Sequence, residues 1–235
     1  GLLPKIYDSP YPQRLLQSYV SDYLKEEIIA EALSRNIQAF SQFLDISALS
    51  NGEIINYQNI ASECGISGLT VKEYYQILED TLIGWKIPAF RKKQKRRIVQ
   101  APKFYYFDVG VAAYLKKQGR VEPGSPEFGK AFEHFICMEL QAHASYSEQF
   151  YPISYWRTAS GFEVDFILGD GEIALEVKSS SQVNYRQLKG LRAFKEEHSP
   201  RRSIVVSLDS APRMTEDSIE ILPWNVFLDA LWERL

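Results

Sequence analysis

Apolar residues set the first divisions of the chain. Leu15, Leu16, Tyr19, Val20, Tyr23 and Leu24 recur at spacings of three and four, as do Ile37, Phe40, Phe43 and Leu44. Residues 1–50 therefore read as amphipathic helices, entered through the loop at Asp8 to Pro12 and closed by Asn51-Gly52. From Ile55 to Ile83 the pattern predicts two short helices, 57–64 and 69–82, about the turn Gly65-Ile66-Ser67. Ala61 sits where the two helices approach, Gly65 supplies a positive φ, and Ser67 caps the second helix. Lys86 to Arg91 and Ile98 to Gln100 then read as paired strands, with Lys92 to Arg97 at the hairpin tip. Helix-turn-helix followed by a basic hairpin is the order of a winged helix, in which a helix enters the major groove and the wing touches phosphates. A trihelical domain with a wing also suits protein contacts, and that alternative stays open.

Beyond residue 103 the period changes to two. An aromatic strand through Phe104 to Phe107 opens an α/β unit. A helix over 128–144, strands over 154–158, 163–168 and 173–179, a helix over 185–197, a strand over 203–208 and a terminal helix over 224–235 follow. These predict a mixed sheet flanked by helices. The fold class expected is α/β, in three parts: a helical segment 1–50, a winged helix 51–103 and an α/β domain 104–235.

Composition narrows the function. With 235 residues, 45% hydrophobic and 13% aromatic, the chain has material for a substantial core, which excludes disorder. Cys64 and Cys137 stand in no CxxC or Cys/His spacing, so neither a disulfide framework nor a zinc knuckle is expected. Without a spanning apolar run or signal-like start, the chain reads as cytosolic, with no membrane partner. The opening Gly-Leu-Leu-Pro has no initiator Met and reads as a piece cut from a longer polypeptide.

The net charge of −3 conceals a strong asymmetry. Lys86, Arg91, Lys92, Lys93, Lys95, Arg96, Arg97 and Lys103 fall between Trp85 and Lys103, where no Asp or Glu occurs. The rest of the chain is acidic and would repel a phosphate backbone, so DNA contact is expected at Arg91, Lys92, Lys93, Lys95, Arg96, Arg97 and Lys103. Lys72 joins them from the exposed side of the second short helix, although Glu73 and Glu79 on that helix oppose a polyanion.

The chemically unusual stretch is Gly161 to Lys178. Alternation places Glu163, Asp165 and Ile167 on one face of a strand, and Gly169-Asp170-Gly171 turns the next strand back beside it. Glu176 and Lys178 share a face of that partner, so two carboxylates and an ammonium converge. Charges on interior strands are costly unless paired or bound to a cation. Mg²⁺ or Mn²⁺ held by Asp165, Glu176 and the Val177 carbonyl would supply the reason, with Glu133 on the preceding helix as a further ligand. Lys178 could orient or deprotonate an attacking water and stabilise the developing charge. A purely structural salt bridge from Lys178 to Asp165 or Glu176 is the competing reading.

Asp165, Glu176-Val177-Lys178 and the upstream Glu133 resemble the PD-(D/E)xK restriction-endonuclease-like signature. The wider chain resembles the C-terminal region of an uncharacterised prokaryotic AAA+-type ATPase family. That likeness rests on Asn56 to Ala61, Thr70-Val-Lys72, Tyr75 to Asp80, Ala101 to Gly110, Phe132-Glu133, Tyr155 to Thr158, Gly161 to Phe166 and Glu176 to Ser180. It implies an ATP-binding module preceding this chain, a winged helix and a nuclease-like domain. The implied activity is metal-dependent phosphodiester hydrolysis, or else a silent module binding DNA or a protein under control of the ATPase part. Asp165 follows Val164 where the signature has proline. Gln187, after the motif, reads as solvent-facing. Gly124 to Ala131 imitates a phosphate loop, but Ala131 stands where Ser or Thr would bind Mg²⁺ and no apolar strand precedes Gly124, so no ATP site is expected. His134, His143 and His198 have no metal-site spacing. The oligomeric state is left open.

Overall fold

A computed structural model describes residues 2–24, 36–92 and 96–234. The chain divides into two compact units, Gly1–Lys86 with Pro102–Val121, and Ile87–Ala101 with Glu122–Leu235. The expected α/β class is met. The division differs from the three expected parts in three places: 1–50 and 51–86 form one unit, 87–101 belongs to the second unit, and 104–121 to the first.

In the first unit, α1 (Pro4–Tyr7) and α2 (Pro12–Ser18) lead into a π-helical turn at Tyr19–Leu24, where the apolar spacing alone predicts continuing α-helix. The helices α3 (Ile37–Leu49), α4 (Tyr57–Cys64) and α5 (Gly68–Asp80) then pack around Phe40, Phe43, Tyr74 and Tyr75, whose rings meet edge to face. Asn56 and Ser67 cap α4 and α5 through Asn59 N–H and Thr70 N–H, and Gly65 turns between them with φ +65°. The strands β1 (Gly84–Ile87) and β2 (Lys103–Tyr106) form a small sheet, extended by an antiparallel bridge from Ile54 to Lys103. The aromatic strand therefore pairs with β1, outside the large sheet expected to hold it. Its rings fill the trihelical core, where Phe104 and Tyr106 are buried. After it, α6 (Val109–Leu115) begins at Asp108, whose carboxylate accepts from Gly110 N–H and Val111 N–H.

The second unit is built on a six-stranded mixed sheet. Its strands are β3 (Ile153–Arg157), β4 (Glu163–Leu168), β5 (Ile173–Lys178), β6 (Arg202–Ser207), β7 (Arg213–Met214) and β8 (Glu220–Pro223), in the order β3-β4-β5-β6-β8-β7. The pairs β3–β4, β4–β5 and β7–β8 are antiparallel, while β5–β6 and β6–β8 are parallel. The helices are α7 (Pro126–Tyr146), α8 (Lys189–His198), entered through a 3₁₀ turn at Tyr185–Leu188, and α9 (Trp224–Arg234). The apolar runs of β5 and β6 are buried almost throughout, as parallel strands covered on both faces must be. The short β7 and β8 carry no clear alternation and were not expected.

The basic segment 87–101 does not form the expected self-paired hairpin. Each limb bonds instead to the outer edge of β3. Phe90 N–H donates to the Tyr155 carbonyl and Tyr155 N–H to the Pro88 carbonyl, while Val99 N–H donates to Arg157 and Ala159 N–H to Arg97. An edge strand has unpaired donors and acceptors along its length, and this strap covers those of β3. Phe90 is buried against Phe194 and His198. Arg96 forms ion pairs of 2.8 Å with both Glu196 and Glu197, and Lys92 pairs with Asp170.

The approach of α8 to the sheet sets the geometry described below. A Cβ on Gly190 would lie 1.7 Å from the Glu163 carbonyl oxygen, a contact that only backbone movement can relieve. Gly190→Ala is expected to cost about 1–3 kcal/mol, as overpacking does, read as a lowered urea midpoint. An unchanged midpoint would mean that α8 can shift off β4 without loss.

Candidate active site

Three elements converge on the N-terminal half of β4. The hairpin β4–β5 sets Phe166 opposite Leu175, and continuing that register brings Asp165 opposite Glu176 on one face. Val164, Phe166, Leu175 and Val177 are buried and alternate with them. Period-two patterning thus forces the carboxylates together once the hairpin closes.

Asp165 and Glu176 are each only 6% exposed. Asp165 Oδ2 accepts from Val177 N–H at 2.8 Å. In an extended strand the N–H and C=O of one residue face the same neighbour, so the Val177 carbonyl also faces β4. Lys178 Nζ donates to Glu176 Oε1 at 2.5 Å. The other carboxylate oxygen, Glu176 Oε2, is buried and accepts no hydrogen bond. Burial first, and then the neighbouring Asp165, push the Glu176 carboxyl well above the ordinary carboxylate range, and Lys178 only partly offsets them. Burial works against the Lys178 ammonium, but Glu176 and Asp165 outweigh it and raise its pKa.

The cluster opens into a cavity of about 400 Å³. Asp165, Glu176 and Lys178 share its lining with Glu163 and with Arg186 and Lys189 from the 3₁₀ turn and the start of α8. Glu163 pairs with Arg157 at 3.3 Å.

A family profile described as a domain of unknown function, DUF8612, matches residues 1–122. The chain belongs to the DUF8612 family. A second profile, the domain of unknown function DUF4143, matches residues 128–227. No curated protein and no solved structure matches the chain. The gap between the two matches falls close to the boundary at Val121, whereas the strap lies inside the DUF8612 match yet packs with the DUF4143 segment.

Of the residues singled out from sequence, Asp165, Glu176, Val177 and Lys178 come together within the DUF4143 segment. Glu133 lies half-buried on α7 and contributes to the field that raises Lys178. It does not complete a three-acid site: among the described residues, no three His, Cys, Asp or Glu side chains are gathered to hold one metal ion. The donor set nevertheless suits a hard cation. Glu176 Oε2 has no partner, Asp165 stands opposite, and two protein carboxylates with water ligands are a usual Mg²⁺ arrangement.

The residues expected to touch DNA fall in both units, Lys72 and Lys103 in the first and Arg91, Lys92, Arg96 and Arg97 in the second. Lys72 is exposed on α5, its ammonium 5.5 Å from the Tyr57 ring centroid. Arg91 and Arg97 are exposed. Lys92 and Arg96 are held in ion pairs. Lys103 is 3% exposed at its bridge to Ile54, so it does not reach the surface with the rest of the run. Lys93 and Lys95 lie outside the described residues. Gln187, expected to face solvent, is half-buried: its Oε1 accepts from Asn184 N–H at 2.8 Å and closes a capping box. Sequence reasoning missed Arg186, Lys189 and Gly190. Only Gly190 had a local signal, a glycine inside an amphipathic helix.

The raised Glu176 carboxyl gives a pH prediction for metal-free protein. A carboxyl whose folded pKa exceeds its unfolded one favours folding while protonated, and that contribution is lost as pH rises through the folded value. In EDTA, Glu176→Gln is expected to be more stable than the parent at neutral pH, with the gap closing as pH falls toward the ordinary carboxylate range. Urea midpoints across that range measure it. A gap independent of pH would mean that Glu176 is not strained by its charge.

Proposed function

We propose that this protein is a divalent-metal-dependent phosphodiester hydrolase of the restriction-endonuclease-like kind, acting on DNA. The observation carrying the reading is the buried Glu176 oxygen without a partner, opposite Asp165 and beside Lys178, at the floor of an open cavity. A structural salt bridge needs one acid and one base, whereas this cluster gathers a second buried acid, Asp165, beside the pair of Glu176 and Lys178.

Asp165, Glu176 and the Val177 carbonyl are the groups that would hold Mg²⁺ or Mn²⁺. A bound ion of this type lowers the pKa of its water and offsets phosphate charge. Lys178, carried on the same strand face, presents its ammonium to the phosphate and stabilises the negative charge that grows during attack. Asp165 is oriented by Val177 N–H, so its second oxygen is aimed by the backbone.

We further propose that the trihelical unit with its small sheet is a winged helix that docks duplex DNA. Its strap is tied to the DUF4143 segment, so the docking cation that the trihelical unit keeps from the expected set is the exposed Lys72. The DUF4143 segment belongs to a kind often found with AAA ATPases, which supports an ATPase module as partner in the parent polypeptide. A silent docking module is the second reading, favoured because no three His, Cys, Asp or Glu side chains among the described residues are gathered to hold one metal ion.

Incubation with plasmid and Mn²⁺ or Mg²⁺ separates them. The parent is expected to cleave, and Asp165→Ala and Lys178→Ala to lose about a hundredfold or more of the rate. Intact plasmid with retarded mobility would establish the docking module instead. In parallel, millimolar Mg²⁺ should raise the thermal midpoint of the parent and leave Asp165→Ala unmoved, since an ion that binds only the folded state stabilises it.

A further inference from the structure

Beside the cavity, the 3₁₀ turn and the first residues of α8 present an arrangement that hydrolysis alone does not explain. Tyr185 is 71% exposed, an unusual place for a large ring. It is nevertheless held firmly. The Arg192 guanidinium lies 3.7 Å from its ring centroid and donates to the Tyr185 carbonyl at 3.3 Å. Arg192 is itself fixed by two bonds to Asp217, of 2.7 and 3.2 Å. No second ring packs on Tyr185 among the described residues, so one face is backed by Arg192 and the other meets solvent. Next to this platform, Arg186 and Lys189 line the cavity that holds Asp165 and Glu176, and both are exposed with no acidic partner among the described residues.

We infer that the strand cut at this site is single-stranded where it meets the enzyme, with a base stacked on Tyr185 and the adjoining phosphates bound by Arg186 and Lys189. This rests on the hydrolase reading above and names its substrate: a stretch of nucleic acid with an unpaired base. A base inside a duplex is stacked on both faces and cannot offer one to a protein ring, whereas an unpaired base can. Backing the ring with a pinned guanidinium keeps it in one orientation, so little is lost in ordering it when a base arrives. The two cations flank acidic residues, where a phosphodiester needs positive charge on its outer oxygens to approach at all.

Fluorescence anisotropy in EDTA tests the inference without cleavage, using fluorescein-labelled oligothymidylate, oligouridylate and a duplex short enough not to span both units. Either single strand is expected to bind more tightly than the duplex, and the tighter of the two identifies the sugar preferred. Tyr185→Ala should weaken single-strand binding about tenfold, and Tyr185→Trp should retain it. Arg186→Ser with Lys189→Ser should lower the salt slope by about 0.7 per lost contact. Thermal melts check that each variant is folded, which exposure of these side chains favours. Equal binding of duplex and single strand, or an unaltered affinity in Tyr185→Ala, overturns the inference, as does a parent that binds neither form. The hydrolase reading is judged separately: plasmid cleavage lost in Asp165→Ala but untouched in Tyr185→Ala leaves that reading standing while this one fails.

Discussion

Two carboxylates face one another across the β4–β5 hairpin with one ammonium between them and solvent. That imbalance governs the second unit. Asp165 and Glu176 are almost wholly buried, and one oxygen of Glu176 is left without a hydrogen bond. A sheet selected for stability alone would replace such a group with an apolar side chain of similar volume, usually at no cost or with gain. Here the surroundings preserve it instead. Apolar neighbours hold the hairpin register, Val177 N–H orients Asp165, and Gly190 lets α8 close over the edge of the pocket.

The strap illustrates a different balance. Six cations in residues 87–101 would form a strong positive field if they stood free on a hairpin tip. The described limbs of the segment run along β3, where Asp170, Glu196 and Glu197 meet Lys92 and Arg96. The solvent-exposed pairs of Lys92 with Asp170 and Arg96 with Glu196 add little stability singly, and only Glu197 is buried in its pair. The larger contribution comes from Phe90, buried among rings, and from backbone bonds that satisfy the sheet edge. The local charge of a sequence segment is therefore a poor guide to the field it presents, because folding places its countercharges from elsewhere in the chain.

Position in the chain also separates the two kinds of cation. In the strap Lys92 and Arg96 are paired with Asp170, Glu196 and Glu197, while Arg186 and Lys189 stand beside the acidic floor without acid partners among the described residues. A cavity with carboxylates below and cations at its side is the charge arrangement that the proposed metal ion and phosphate would require. Tyr185 adds an exposed ring to the same stretch of chain, so the cations and the aromatic surface of the proposed single-strand contact lie within a few residues.

Much of this was legible in the chain itself. Alternation in Glu163 to Leu168 and Ile173 to Lys178 set the strands within a residue of their ends, and it placed Asp165, Glu176 and Lys178 on one face, because side-chain direction in a strand depends only on parity. Ser67 and Asn56 marked their helix starts for an equally local reason, the orphan N–H groups of a first turn. What the chain could not express was partnership over distance. Phe104 to Tyr106 pairs with β1 and fills the trihelical core; the basic limbs seek the edge of β3; Glu133 stops short of a three-acid site; Arg186 and Lys189 meet Asp165 only after α8 folds back. Each of those outcomes is a choice among partners far apart in sequence, decided by which surfaces and unpaired backbone groups the packed sheet leaves open.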